Sequence, residues 1–285
     1  MSTNNSSLLQ SSSPSLLVMD WGIGGLSVYR EIKNKLPQIP CVYLSDSGFT
    51  PYGKMEENQL ADRLIFLMNE AKKRWNTQRV ILACNAASTT LSILGKRKNE
   101  FFPLKVTGMI EAGVQLVLET QTQKVGVIGG IRTIESQMFS SKLNSFGIEV
   151  MQQVAQPLSA LIEKGVLSGI ELEETLLKIL SPFRNENQTA VHFKIEALLL
   201  ACTHYPAVSN EIQKLLPGIK LLDPSKKVAD QLADEFHPFF SEKKTSEPEK
   251  PFQLTDLFLT TGSTQEMNLS AKKAFHIHCE SAPFL

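Results

Sequence analysis

The chain has no surplus of charge: 29 Lys and Arg residues are matched by 29 Asp and Glu. With this balance and no basic arm, nothing draws in nucleic acid or an anionic membrane surface, so a small-molecule partner is expected instead. No apolar run approaches the roughly 18 residues of a membrane-spanning helix. Cysteine is scarce, with four in 285 residues, and no C-x-x-C or Cys/His ligand spacing occurs. Neither a disulfide framework nor a zinc site is expected, and the thiols are read as reduced and intracellular. The opening "MSTNNSSLLQSSSPS" has no Lys or Arg before an apolar core. It is expected to be a disordered tail over 1–14 rather than a secretory signal, which places the protein in the cytoplasm.

Two further absences narrow the chemistry. Gly22, Gly24 and Gly25 are followed by Ser27 and Val28. The full G-x-G-x-x-G spacing is therefore missing, and no P-loop lysine follows, so a small carboxylate suits this loop better than a dinucleotide. No phosphate site is legible that would support a pyridoxal Schiff base, and no cofactor is expected.

Short apolar, β-rich runs are present throughout, at 15–20, 41–46, 79–84, 104–110, 124–130, 149–155, 197–202, 219–224 and 254–262. Segments with helical spacing alternate with them, clearest at 25–37 and 57–75. This alternation predicts an α/β fold with parallel sheets covered on both faces. The halves echo each other: "LLVMDWGIGG" and "VGVIGGIRT" both run a strand into a glycine turn, while "VILACNAAS" and "LLLACTHYP" both run a strand into a cysteine. Two doubly wound domains of related topology facing each other across a cleft are expected. The charged, proline-bearing segment 239–252 reads as a surface loop.

A cysteine at a strand end is usually a small buried hydrophobe. Cys41 and Cys279 are read that way. Cys84 and Cys202 differ, because Asn85 follows one and Thr203 and His204 follow the other. Such neighbours can tune a thiol or take its proton. Two near-equivalent thiols across a cleft suit proton transfer at a stereocentre, one removing the α-proton from one face while the other delivers a proton to the opposite face.

From about Leu16 to Gly262 these motifs resemble the glutamate racemases of the cofactor-independent aspartate/glutamate racemase superfamily. "DWGIGGLSVYREI", "TPYG", "ACNAAS" and "ACTHYP" carry the likeness, supported by "GMIEAG", "VIGGIRTIES", "PLSALIEKG", "LLDPSKKVA" and "LTTG". The resemblance implies Cys84 and Cys202 as the two bases, Asp20 assisting Cys84, and Glu163 and His204 assisting Cys202. It implies a substrate subsite of Trp21, Pro51, Tyr52, Gly53, Asn85, Ala86, Thr133 and Thr203, in which Tyr52, Gly53, Asn85, Thr133 and Thr203 hold the carboxylates and ammonium. The order of the motifs along the chain predicts residues 15–107 with 217–285 as one domain and 108–216 as the other. The resemblance implies a role in peptidoglycan precursor supply, and homodimers in many members, although no stripe in this sequence marks an interface. Three positions depart from the family: Trp21 stands where a serine is expected, Ala86 where a threonine is, and Gly130 where the "Gly-Thr-x-x-Thr" loop has its first threonine. Glutamate is the expected substrate; another small carboxylate such as aspartate, and a silent binding protein on this fold, stay open.

Overall fold

The computed structural model describes residues 15–185, 192–241 and 256–285. The expected tail and most of the expected loop 239–252 lie outside the described residues. The first half of the chain builds β1 (Ser15–Asp20), α1 (Leu26–Lys35), β2 (Cys41–Ser45), α2 (Glu57–Trp75), β3 (Thr77–Leu82), α3 (Asn85–Ser88), α4 (Leu91–Lys96) and β4 (Lys105–Gly108). It continues through α5 (Met109–Glu119), β5 (Lys124–Gly129), α6 (Ile131–Glu135), α7 (Met138–Ser145), β6 (Glu149–Val154), α8 (Gln156–Glu163) and α9 (Ile170–Leu180). The two-residue strands β7 (Arg184–Asn185) and β8 (His192–Phe193) follow, then β9 (Ala197–Ala201), α10 (Ser209–Leu215), β10 (Lys220–Leu222), α11 (Pro224–Ser241), β11 (Leu257–Thr260), α12 (Thr264–Phe275) and β12 (Ala282–Pro283).

The inner strands β1, β2, β5 and β9 are mostly apolar because both faces of each sheet are covered there. Every residue of β2 and of β9 is buried. The helices hold one apolar face to their sheet. In α2, Leu60, Ala61, Leu64, Ile65, Leu67, Met68 and Ala71 are buried at helical spacing, and Asn76 ends the helix at a φ of 50°, donating its N–H back to the carbonyl of Lys72. An asparagine tolerates this left-handed conformation better than most residues. Ser263 begins α12 by accepting the N–H of Glu266.

Two parallel sheets result, in the orders β12-β11-β2-β1-β3-β4 and β10-β9-β5-β6. Counted from the first strand of each unit, both contain the same core order, second-first-third-fourth, so the two halves share a topology as well as their motifs. In each, the first strand lies between the second and third, and the chain winds away from it in opposite directions. The crevice at such a reversal, beyond the carboxyl ends of the strands, is where open α/β sheets bind ligands. Asp20 and Cys84 stand at that edge of the first sheet, and Gly130 and Cys202 at the matching edge of the second.

The boundary expected at 217 falls too early for the sheets. β10 pairs in parallel with β9, through Lys220 with Ala197, Leu221 with Leu198 and Leu222 with Leu199. The chain thus returns to the first sheet only at β11, which pairs with β2. One apolar cluster joins the halves: Leu16 and Val18 of β1, Leu198 and Leu200 of β9, Leu158 of α8, and Val228 and Leu232 of α11 belong to it. α11 packs on both α1 and α5. Cys41 and Cys279 pack against this same cluster, as expected for thiols in structural positions.

Candidate active site

Asp20 ends β1 with its side chain almost wholly buried. One carboxylate oxygen accepts the N–H of Trp21 at 2.6 Å, and the other accepts the Thr203 hydroxyl at 3.0 Å. Burial raises the carboxyl above its ordinary range, against the opposing pull of His204, the Cys84 thiol and these hydrogen bonds. Cys84 lies beside it, just ahead of the short helix α3. Burial lifts this thiol well above an ordinary cysteine, and the Asp20 charge lifts it further, while the N–H of Ala87 acts the other way. A negative charge on Cys202 would add to the rise.

Cys202 has a different set of partners. Its sulfur is 3.6 Å from Nδ1 of His204 and 3.9 Å from the Ser159 hydroxyl. Nε2 of His204 is 2.6 Å from Oε1 of Glu163 at the end of α8. Burial alone would depress the imidazole, but the Glu163 carboxylate and the neighbouring sulfur outweigh it and hold His204 well above its usual range. Burial would likewise raise Glu163, yet His204 and the Ile23 N–H bring it below the usual carboxylate range. The imidazole therefore holds its proton more firmly than an ordinary histidine, and in that protonated form it can steady a thiolate at Cys202 or pass it a proton.

The glycine loop after Asp20 lies close against groups of the second domain. A Cβ on Gly22 would lie 2.0 Å from Oε1 of Glu163, and one on Gly24 would lie 2.4 Å from Nδ1 of His204 and 2.6 Å from the Thr203 hydroxyl. The loop is glycine because the second domain's functional groups press against its backbone. Ile23 N–H donates to Glu163 at 3.0 Å, and the Ser27 hydroxyl lies 2.9 Å from the Thr203 carbonyl. One loop of the first domain thus orders the partners of Cys202 in the second.

The other expected site residues divide clearly. Asn85 is buried, and neither its amide oxygen nor its amide nitrogen has a hydrogen-bond partner. Leaving both ends of a buried amide unmade is costly, so this side chain is suited to a polar ligand. Thr133 is buried in α6, which meets α3 and the turn at Tyr52–Lys54 across the domain boundary. The Thr203 hydroxyl donates to Asp20, which leaves its oxygen as an acceptor. The Tyr52 ring lies in the core, and its hydroxyl donates to Asp46 at 2.9 Å, which leaves only its backbone for a ligand. Asp46 is completely buried and held by Arg63 through two hydrogen bonds and by the Thr261 hydroxyl, while its own N–H donates to the Asp20 carbonyl. Pro51 leads into the same turn, and Gly53 is exposed with open space where a side chain would be.

Trp21 and Ala86 are partly buried against the first domain's outer cluster, as is Cys84. The single N–H donor of the indole is already used, donating to the Phe49 carbonyl at 3.0 Å, so Trp21 does not replace the missing serine hydroxyl. At Gly130 the space a side chain would need is occupied by Oε1 of Gln156, which also lies 3.4 Å from the Ile131 nitrogen. Sequence reasoning missed Ser159, Ser27 and Asp46. Ser159 had a signal, since it precedes Glu163 by four residues and so shares its helix face. Among the described residues, no three His, Cys, Asp or Glu side chains are arranged to hold a metal ion, and no helix is long and apolar enough to cross a membrane.

Residues 16–232 match the sequence profile of the Asp/Glu/hydantoin racemases. The chain belongs to that family. As a member of this racemase family it is an isomerase. Among its relatives, a glutamate racemase from Aquifex aeolicus is 32% identical over 218 residues, 76% of this chain and 81% of the relative. One from Limosilactobacillus reuteri is 33% identical over 211 residues, 73% of this chain and 75% of the relative. A crystal structure of glutamate racemase from Francisella tularensis in complex with D-glutamate superposes with a TM-score of 0.77 at 26% identity, covering 95% of each chain. The racemase fold therefore extends through nearly the whole protein.

Proposed function

We propose that the protein interconverts L- and D-glutamate without a cofactor, using Cys84 and Cys202 as opposed acid and base. The observation that carries this reading is the placement of the two thiols on matching strand ends of two topologically equivalent sheets, each with its own proton-handling partner. Asp20 serves Cys84; His204 with Glu163 serves Cys202. In one direction Cys202, as thiolate beside the His204 imidazolium, takes the α-proton, and the protonated Cys84 gives its proton to the far face. In the other direction the roles exchange. The unpartnered amide of Asn85, buried Thr133 and the backbone at Tyr52 and Gly53 then hold the carboxylates and ammonium. The relatives' names support glutamate as substrate, and D-glutamate made this way would supply peptidoglycan precursors.

The proton-transfer barrier must fall without an electron sink, so the closed site has to stabilise a carbanion-like transition state through preorganised donors. Each 1.36 kcal/mol of such stabilisation brings about tenfold in rate. In heavy water, two bases on opposite faces predict that product takes up deuterium first, while recovered starting enantiomer stays nearly unlabelled early in turnover. Following each enantiomer by chiral chromatography with mass detection checks this. Equal early label in both would indicate one exchanging base and overturn the mechanism.

The same scheme fixes a pH profile. Mirror-image substrates have an equilibrium constant of unity, so kcat/KM must follow one common curve for both enantiomers. Activity requires one thiol ionised and its partner protonated. Because the Cys84 thiol is pushed up by burial and by Asp20, it keeps its proton beyond the ordinary thiol range near pH 8.5. The alkaline fall in kcat/KM should therefore lie above that pH. Rates measured by circular dichroism that already decline below pH 8 would contradict the proton placement.

A further inference from the structure

We propose that Arg132 is a specificity-determining residue: its guanidinium binds the side-chain carboxylate of an acidic amino acid. The proposal rests on the racemase reading above and adds a donor at a position that the resembling motif leaves unspecified.

The case begins with charge. Arg30, Arg63, Arg74, Arg79 and Arg97 each lie against a carboxylate. Arg132 is half-buried, and among the described residues its partner is the Tyr52 carbonyl, with no carboxylate within ion-pair distance. Its Nε donates to the Tyr52 carbonyl at 3.0 Å, which fixes the side chain across the boundary between the two domains. Its two terminal nitrogens have no hydrogen-bond partner among the described residues. A guanidinium held by Nε with both ends of its fork unmade is suited to a carboxylate, which can accept two parallel N–H bonds.

Position supplies the second part. Arg132 directly precedes buried Thr133 on α6, and α6 meets both the Tyr52–Lys54 turn and α3 with its unpartnered Asn85. The third part is a shortage. The hydroxyl that the resemblance expects at position 21 is absent and the indole N–H is used at Phe49. Position 86 is alanine, and Gly130 is covered by Gln156. A substrate with two carboxylates therefore meets fewer hydroxyls here than the family motif provides, and Arg132 offers a charged fork instead. An amide in place of the distal carboxylate would set N–H groups against N–H groups, so discrimination should be strong against the neutral side chain.

The test compares wild type, Arg132→Met and Arg132→Lys on glutamate with glutamine and on aspartate with asparagine, by circular dichroism. For the acid that wild type racemises, Arg132→Met should lose about 10- to 100-fold in kcat/KM, mainly through KM. Its acid-to-amide preference should fall by a similar factor, and Arg132→Lys should keep part of that preference. An unchanged acid-to-amide ratio in Arg132→Met, with acid and amide slowed alike, would reduce Arg132 to a tie between α6 and the Tyr52 turn and overturn the proposal. Calorimetric binding of D-glutamate and D-glutamine to the same three proteins separates the two readings. Failure of wild type to racemise either acid would overturn the function, whereas loss of acid-over-amide binding in Arg132→Met would still support the carboxylate site. Equal preference in both proteins would sink it whatever the turnover.

Discussion

Replacing Cys202 with serine should lower racemisation in both directions by about 10⁴-fold, and replacing Cys84 with serine should do the same. A hydroxyl at either position is far too weak an acid to ionise near neutrality, and removing a proton from one face is futile without a donor on the other. The loss should be symmetric even though the partners are not, because the same two groups must act in every turnover. An amino-acid analogue with a leaving group on Cβ separates the halves of the mechanism. One base removes its α-proton, the leaving group departs with the electrons of its bond to carbon, and no second proton is needed. Each serine variant should therefore retain elimination from one enantiomer only, and the two variants should retain opposite enantiomers. Measured by release of the leaving group, elimination of the same enantiomer by both variants would dissolve the assignment of one thiol to each face. Substantial racemisation by either variant would dissolve it as well.

Placing an alanine at Gly24 should reduce kcat by about 100-fold or more while costing only about 1–3 kcal/mol in folding stability. The added carbon would meet Nδ1 of His204 at 2.4 Å and the Thr203 hydroxyl at 2.6 Å. Neither is the loose end of a long side chain. His204 is held through Glu163 and Thr203 through Asp20, so relief of the clash has to move a partner of each thiol. Displacements of about 1 Å near reacting groups carry penalties of this order. Urea denaturation followed by tryptophan fluorescence, together with kcat from circular dichroism, checks the pair of values. If stability falls and kcat does not, the loop is a packing surface with no hold on the proton-transfer groups. By contrast, Gly53→Ala has open space for its new carbon, which makes it a control for the effect of a glycine replacement in the site.

The reading from sequence succeeded where a residue's role is local. Asp20, Cys84 and Cys202 could be placed because each follows an apolar strand run, and parallel sheets put their ligands at those ends. Expected segments 15–20 and 57–75 coincide with β1 and α2, since burial on both faces and helical spacing are each written in adjacent residues. Contacts between segments distant in the chain were not legible in it. Nothing near Thr203 indicates that its hydroxyl is taken by a carboxylate 183 residues away. Nothing in the first loop's own sequence shows that Glu163 and His204 press against its backbone. β10 was assigned to the wrong sheet because three residues, Lys220–Leu222, carry too little pattern to name their neighbour.

The return of the chain at β11 also sets an order of events during synthesis. The second sheet is drawn from one continuous stretch, β5 to β10, and can close as soon as Leu222 is free of the ribosome. The first sheet cannot. Its β2 edge waits for Leu257 to pair with Val42, and Asp46 waits for a threonine 215 residues downstream. Ser270, which donates to the Glu163 carbonyl from α12, arrives later still. At a translation rate of about 5–20 residues per second, the stretch between Leu222 and Pro283 takes roughly 3–12 seconds to appear. Through that interval a nascent chain carries a finished half and an open strand edge, the kind of edge that recruits other chains. The last strands to emerge are thus the ones that protect this molecule from its own copies on a polysome.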